Sequence, residues 1–132
     1  VIVDTSALLA VLFDEPDAAT FGALIDDAAA CRLSAASFLE AAIVVDRTRS
    51  PVPGHRLDDL VRAADMIVEP VTEEQARIAR EAYRQYGRGR GHLAGLNFGD
   101  CFAYALARVT GEPLLFKGDD FIHTDITPAL RS

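Results

Sequence analysis

Four acidic positions interrupt the most apolar stretches of this chain: Asp4 in VIVDTSALLA, Glu40 in SFLEAAIVV, Asp100 in NFGDCFAYALA, and Asp119 or Asp120 in LLFKGDDF. A carboxylate buried without a partner costs several kcal/mol, so it protonates, pairs with a cation or binds a metal ion. Lys117 is the only lysine among the 132 residues, so lysine pairing cannot serve four separate acids. A fold for this sequence must either scatter these acids over the surface or gather them around a common cation. Their recurrence in apolar segments favours gathering.

The hydrophobic pattern supplies a scaffold that could do so. Val1-Ile2-Val3 reads as a short buried strand ending at Asp4. Thr5 or Ser6 is placed to cap the helix that follows through ALLAVLF. Asp14-Glu15-Pro16-Asp17 breaks that helix and starts another, running to about Ala30. Cys31 to Leu33 reads as a second strand, and Ser34 as the cap of an apolar helix from about Ala35 to Arg49. Ser50 to Gly54 is the clearest loop, with a helix beyond it to about Ala64 and a third strand over Met66 to Val68. Thr72-Glu73-Glu74-Gln75 is a capping-box signature for a helix ending at Gly87, with Ala76, Ala79, Tyr83 and Tyr86 on its apolar side. A basic, glycine-rich loop from Gly87 to Gly95 leads into a helix over Phe98 to Val109. Leu114 to Phe116 is the last strand, and Asp125 to Thr127 predicts a short edge piece.

Strands alternating with helices describe an α/β domain with a mostly parallel sheet, and the length predicts one domain over residues 1–132. Sites in such sheets form beyond the carboxyl ends of the strands. Asp4 follows the first strand directly, Asp119 lies just past the last, and Glu40 and Asp100 fall near helix starts, so one edge could collect them all.

Each acid also has a plainer reading. Glu40 has Ala36, Ser37, Ile43 and Val44 as its same-face neighbours, three of them apolar, which argues against a simple solvent-facing residue. It could still answer a helix dipole. Asn97 could cap the helix that holds Asp100, which would then occupy the favoured third position. Asp4 could be a turn residue, and Asp119-Asp120 an ordinary turn. Taken together, the acids form an all-oxygen ligand set with no His or Cys cluster, which favours Mg²⁺ or Mn²⁺ over Zn²⁺. A divalent ion would reverse their mutual repulsion, and activated water could then attack a phosphodiester. The expected reaction is metal-assisted hydrolysis of a nucleic-acid backbone. The chain has no GxxxxGK[ST] loop, GxSxG elbow or HExxH pair. A receiver-type phosphorylation domain would need paired acids after the first strand, where only Asp4 stands.

These residues resemble a PIN domain, and most closely the VapC toxins of bacterial toxin–antitoxin pairs. The resemblance rests on Asp4-Thr5-Ser6 after an opening strand, Ser37 to Glu40 on an early helix, LNFGDCFAYALA and LLFKGDDF, and spans essentially the whole chain. It implies a three-layer α/β/α sandwich with a mostly parallel central sheet and Mg²⁺- or Mn²⁺-dependent endoribonuclease activity. It also implies a homodimer inhibited by a VapB-type antitoxin in a hetero-oligomer. Carried over, Asp4, Glu40 and Asp100 are the core acids, with Asp4 and Asp100 as direct metal ligands and Glu40 acting through water. The fourth acid is Asp119 or Asp120, with Asp119 placed ahead. Many PIN domains carry a Thr-Asn-like pair after the last strand, where this chain reads Phe116-Lys117-Gly118. Thr5 or Ser6 would orient the first acid through its hydroxyl. A non-catalytic binding module and a DNA-directed 5′-nuclease are the alternatives.

The net charge of −7 opposes casual binding to a polyanion, so an RNA substrate requires local positive charge. Twelve of the thirteen basic residues are Arg, which grips phosphate bidentately. Arg77, Arg80 and Arg84 share one side of their helix, and Arg88, Arg90 and His92 follow in the adjacent loop. They read either as a solvated face with pairs such as Glu73–Arg77, or as a phosphate-tracking surface in which Arg84, Arg88 and Arg90 bind substrate. Leu8, Leu9, Val11, Leu12 and Phe13 nearly encircle the first helix and could, with the third helix, present a groove to an antitoxin segment. No stretch approaches the ~20 apolar residues of a membrane span, no leader is visible, and Cys31 and Cys101 read as free thiols. These features lead us to expect a cytoplasmic protein.

Overall fold

Short apolar strands with no polar alternation need cover on both faces, and helices on either side of a parallel sheet supply it. A computed structural model describes residues 1–130. Its elements are β1 (Ile2–Val3), α1 (Thr5–Leu12), α2 (Ala18–Asp27), β2 (Arg32–Ser34), α3 (Ala35–Asp46), α4 (Val52–Ala63), β3 (Ile67–Glu69), α5 (Glu73–Tyr86), α6 (Phe98–Thr110) and β4 (Leu114–Leu115). The four strands are ordered β3-β2-β1-β4, and every pairing is parallel.

The strand residues divide between two cores as the period of two requires. Ile2 and Leu114 point to one side, where α5 and α6 pack with Phe121 and Ile126. Val3, Leu33 and Leu115 point to the other, among residues of α1, α2, α3 and α4. The result is the expected three-layer α/β/α sandwich. Of the expected domain over 1–132, Arg131 and Ser132 lie outside the described residues. Among those described, no helix is long and apolar enough to cross a membrane.

Several boundaries differ from the sequence reading. The cap of α1 is Asp4 itself, whose side chain accepts from the Ser6 amide, and neither Thr5 nor Ser6. The loop expected at 50–54 shortens because α4 begins at Val52, with Pro53 in its first turn, where a missing amide costs nothing. At the end of α3, Thr48 Oγ1 donates to the Val45 carbonyl at 2.7 Å, which competes with further helix; α3 stops at Asp46. On α5, Ala79, Ala82 and Tyr86 are buried, whereas Ala76 and Tyr83 are exposed. No strand forms over 125–127. The chain instead bridges Leu114 at Pro128, with Leu114 N donating to Thr127 O and Ala129 N to Leu114 O.

This topology sets the functional edge. Parallel strands place Asp4, the start of α3 and the segment after β4 at their common carboxyl end. Helix α6 descends to feed β4, so its N-terminus, with Asp100, lies at that same edge. Phe121, 2% exposed and packed on Phe116 at 5.1 Å between ring centroids, anchors the far end of the segment that carries Asp119 and Asp120. Replacing Phe121 by Ala should cost about 3–5 kcal/mol of stability in urea unfolding, and a loss under about 1 kcal/mol would show that the segment is not anchored there.

Candidate active site

Asp4 is 4% exposed and ends the central strand, its amide donating to Leu115 O at 2.9 Å. Its Oδ2 accepts from Ser6 N at 3.0 Å and from Ser6 Oγ at 2.6 Å. Ser6 Oγ in turn accepts from Lys117 N at 2.9 Å, which joins the first acid to the segment after β4. Of the two hydroxyls considered, Ser6 therefore holds the acid. Thr5 Oγ1 donates instead to Ser37 O at 3.2 Å and ties α1 to α3, one turn before Glu40.

Asp100 satisfies its plainer reading and the functional one together. It closes a full capping box on α6: Asp100 N donates to Asn97 Oδ1 at 2.9 Å, and Asn97 N donates to Asp100 Oδ2 at 3.0 Å. The cap uses Oδ2 and leaves the rest of the carboxylate to the acids around it. Asp120 is a near neighbour of Asp100, close enough for its carboxyl to act on that of Asp100. Asp119 is exposed and lines a separate cavity with Phe116, Gly118 and Ile122. Of the pair, Asp120 and not Asp119 is the one that the structure brings to Asp100. Gly118, at φ +97°, turns the chain in a way that favours glycine, and how Asp119 and Asp120 emerge from that turn has no local sequence signal.

Glu40 is exposed, contrary to the expectation from its apolar neighbours, because Leu39 and Ile43 beside it on α3 are exposed as well. Its carboxylate lies over Gly99, so close that a Cβ there would make the Glu40 side chain shift. Gly99 is therefore a neighbour of the acids that the sequence reading missed. The signal was the glycine itself, inside the first turn of a helix where it weakens the element.

The electrostatics are those of an unneutralised acid cluster. Burial pushes the Asp4 carboxyl up to about 6; its bonds from Ser6 oppose the rise, and the charge of Glu40 adds to it. Burial likewise pushes Asp100 up to about 7, with Asp4 and Asp120 adding to the rise against the capping bond from Asn97. Among the described residues none of Asp4, Glu40, Asp100 and Asp120 has an ion-pair partner. The lysine turns away to Glu15 and Asp17. The Ser37 hydroxyl, one turn before Glu40 on α3, is buried and has no hydrogen-bond partner among the described residues. Such an all-oxygen, uncompensated donor set fits a hard divalent cation. Among the described residues, however, no three of these side chains stand together in an arrangement that would hold an ion.

The basic residues separate into two groups. Arg77 pairs with Glu73 at 2.9 Å and Arg84 with Glu81 at 3.7 Å, as a solvated helix face would. Arg80, Arg88 and Arg90 have no ion-pair partner among the described residues. Arg80 and Arg88 border an apolar groove lined by Ala76, Tyr83, Phe98 and Phe102, with Phe98 78% exposed in the same helical turn as Asp100.

A family model for the PIN domain matches residues 1–126. The chain is 57% identical over 129 residues to Ribonuclease VapC28 of Mycobacterium tuberculosis, an alignment covering 98% of this chain and 97% of that protein. It is 50% identical over 125 residues to Ribonuclease VapC30 of the same species, covering 95% of each. Its fold matches the crystal structure of Mycobacterium tuberculosis VapC20, described as a sarcin-ricin-loop-cleaving toxin. That match has a TM-score of 0.73 at 19% identity and covers 99% of this chain and 98% of that one.

The raised carboxyls give a stability test with a definite sign. A carboxyl whose folded pKa is raised binds its proton more tightly in the native state, so its stabilising effect is present below the unfolded value of 3.8 and lost as pH rises to about 6. In chelator-treated protein, Asp4→Asn should therefore be more stable than the parent above pH 6, by about 2–3 kcal/mol, with the gap closing toward pH 4. Urea unfolding at pH 4, 6 and 8 measures this. A gap that stayed constant across the range would remove burial of an ionised Asp4 as its cause.

Proposed function

The chain belongs to the PIN-domain family and is a close relative of the VapC ribonucleases, and on that premise we propose that it is the toxin of a type II toxin–antitoxin pair, a metal-dependent endoribonuclease that hydrolyses RNA phosphodiester bonds. The observation that carries this reading is the chain of neighbouring acids, Glu40 to Asp4, Asp4 to Asp100 and Asp100 to Asp120, with no ion-pair partner among the described residues.

Asp4 and Asp100 are the residues we assign to hold the ion directly, Asp120 completes the set, and Glu40, the more exposed acid, works through water. Mg²⁺ or Mn²⁺ bound there would neutralise the cluster, polarise the scissile phosphate and acidify the attacking water. The chain's own part is placement. Ser6 fixes the Asp4 carboxylate, Asn97 fixes Asp100, and Gly99 leaves room for Glu40. Phosphate is drawn along the α5 side by Arg80, Arg88 and Arg90, whereas Arg84 is engaged with Glu81 and contributes less.

The partners follow from the same reading. A VapB-type antitoxin that inserted a basic side chain among the acids would displace both metal and RNA. Apolar side chains exposed at the end of α1 and on α3, namely Phe13, Leu39 and Ile43, suit such a partner. The groove at Tyr83, Phe98 and Phe102 suits a second copy of the chain in a homodimer. Two free, buried cysteines accord with the cytoplasm.

Asp4→Asn and Asp100→Asn should each lower RNA cleavage at least 100-fold without loss of fold, and chelator should abolish cleavage by the parent. Cleavage that survives Asp4→Asn would remove the acids from the chemistry, and a parent chain with no cleavage would leave a binding module. Replacing Arg88 and Arg90 by Ala should weaken cleavage roughly tenfold at moderate salt and flatten its salt dependence. Unchanged rates across a salt series would count against this path for RNA.

A further inference from the structure

The segment after β4 is fastened through one residue by both its main chain and its side chain. Lys117 N donates to Ser6 Oγ at 2.9 Å, and through that hydroxyl the segment is coupled to Asp4. The ammonium reaches in another direction, to Glu15 Oε2 at 3.0 Å and Asp17 Oδ1 at 3.2 Å between α1 and α2. Gly118 then turns the chain at φ +97°, Asp120 meets Asp100, and Phe121 enters the core. Residues 118–120 are thus a short span between two fixed points, and Asp120 is the acid that this span delivers to the cluster.

We propose that Lys117 is a positioning residue, a latch that holds the segment to the turn between α1 and α2 so that Asp120 stays against Asp100 in the arrangement that metal binding needs. The latch rests on the reading of the acids as a metal site and deepens it. Glu15 and Asp17 serve it twice. They anchor the ammonium, and they keep the chain's one lysine from neutralising the acids itself.

Exposed ion pairs are individually weak, so the expected effect is graded: about a three- to tenfold loss of metal affinity when the latch is cut. The test is Mn²⁺ binding to the full chain by calorimetry, with amide exchange at residues 117–120 read both with and without metal. Lys117→Met and the Glu15→Gln/Asp17→Asn pair should each weaken Mn²⁺ binding by that factor and speed exchange. The triple variant should be no weaker than the weaker of the two, because all act on one contact. Lys117→Arg should restore parental binding and exchange. Parental affinity and exchange in Lys117→Met, or losses that multiply in the triple variant, would overturn the latch. A parent that binds Mn²⁺ but leaves RNA intact would sink the ribonuclease reading alone. A parent that binds no Mn²⁺ would sink the metal site, while exchange without metal would still decide the latch.

Discussion

Carboxylates crowded at one edge of a parallel sheet impose the constraint that the surrounding structure answers. Two of them are held by bonds that the backbone requires in any case. Asp4 caps α1 and Asp100 closes the capping box of α6, so each sits where a helix N-terminus offers unpaired amides and the positive end of its dipole. That placement offsets part of the cost of burying them. It does not offset all of it, since burial still leaves Asp4 near 6 and Asp100 near 7. The imbalance is therefore built in, and a bound divalent ion is the species that would remove it.

The sheet brings these residues together with little freedom. β1 lies between β2 and β4, so the residues leaving the carboxyl ends of three adjacent parallel strands become neighbours. Each helix that follows a strand begins at that edge, and α6, which precedes β4, begins there because it must descend to the strand it feeds. Splitting Ile2 from Val3 and Leu114 from Leu115 between the two cores locks the register. A slip of one residue would expose one set to the wrong layer and would carry Asp4 away from Asp100.

What could be read in the sequence follows from this division. Strands, helices and layers were legible because they rest on apolar periodicity and on local caps such as Ser34, Thr72 and Asn97, each of which forms. Asp4 and Asp100 were legible because an acid next to a run of core residues has few tolerable environments. The choice between Asp119 and Asp120 was not, because it depends on the left-handed turn at Gly118 and on a contact with a helix that begins twenty residues earlier. Glu40 was misjudged for a related reason: Leu39 and Ile43 looked like core on composition, yet that side of α3 faces outward. The side-chain direction of Lys117 was invisible for want of any partner close in sequence.

An acidic chain that acts on a polyanion must separate attraction from chemistry in space. With a net charge of −7, long-range forces repel RNA, and the acid cluster would repel it most. Ion pairing on α5 refines how the opposing charge is deployed. Glu73 and Glu81 occupy Arg77 and Arg84, which leaves Arg80, Arg88 and Arg90 without ion pairs among the described residues, the first two beside the turn that bears Asp100. On the proposed reading, three guanidiniums would fix a few phosphates without making the surface generally adhesive. A bound metal would neutralise the acids only where the bond is to be cut. Selectivity then rests on the few placements of a strand that satisfy both the arginines and the ion at once, and a domain this small has room for little more than that geometric demand.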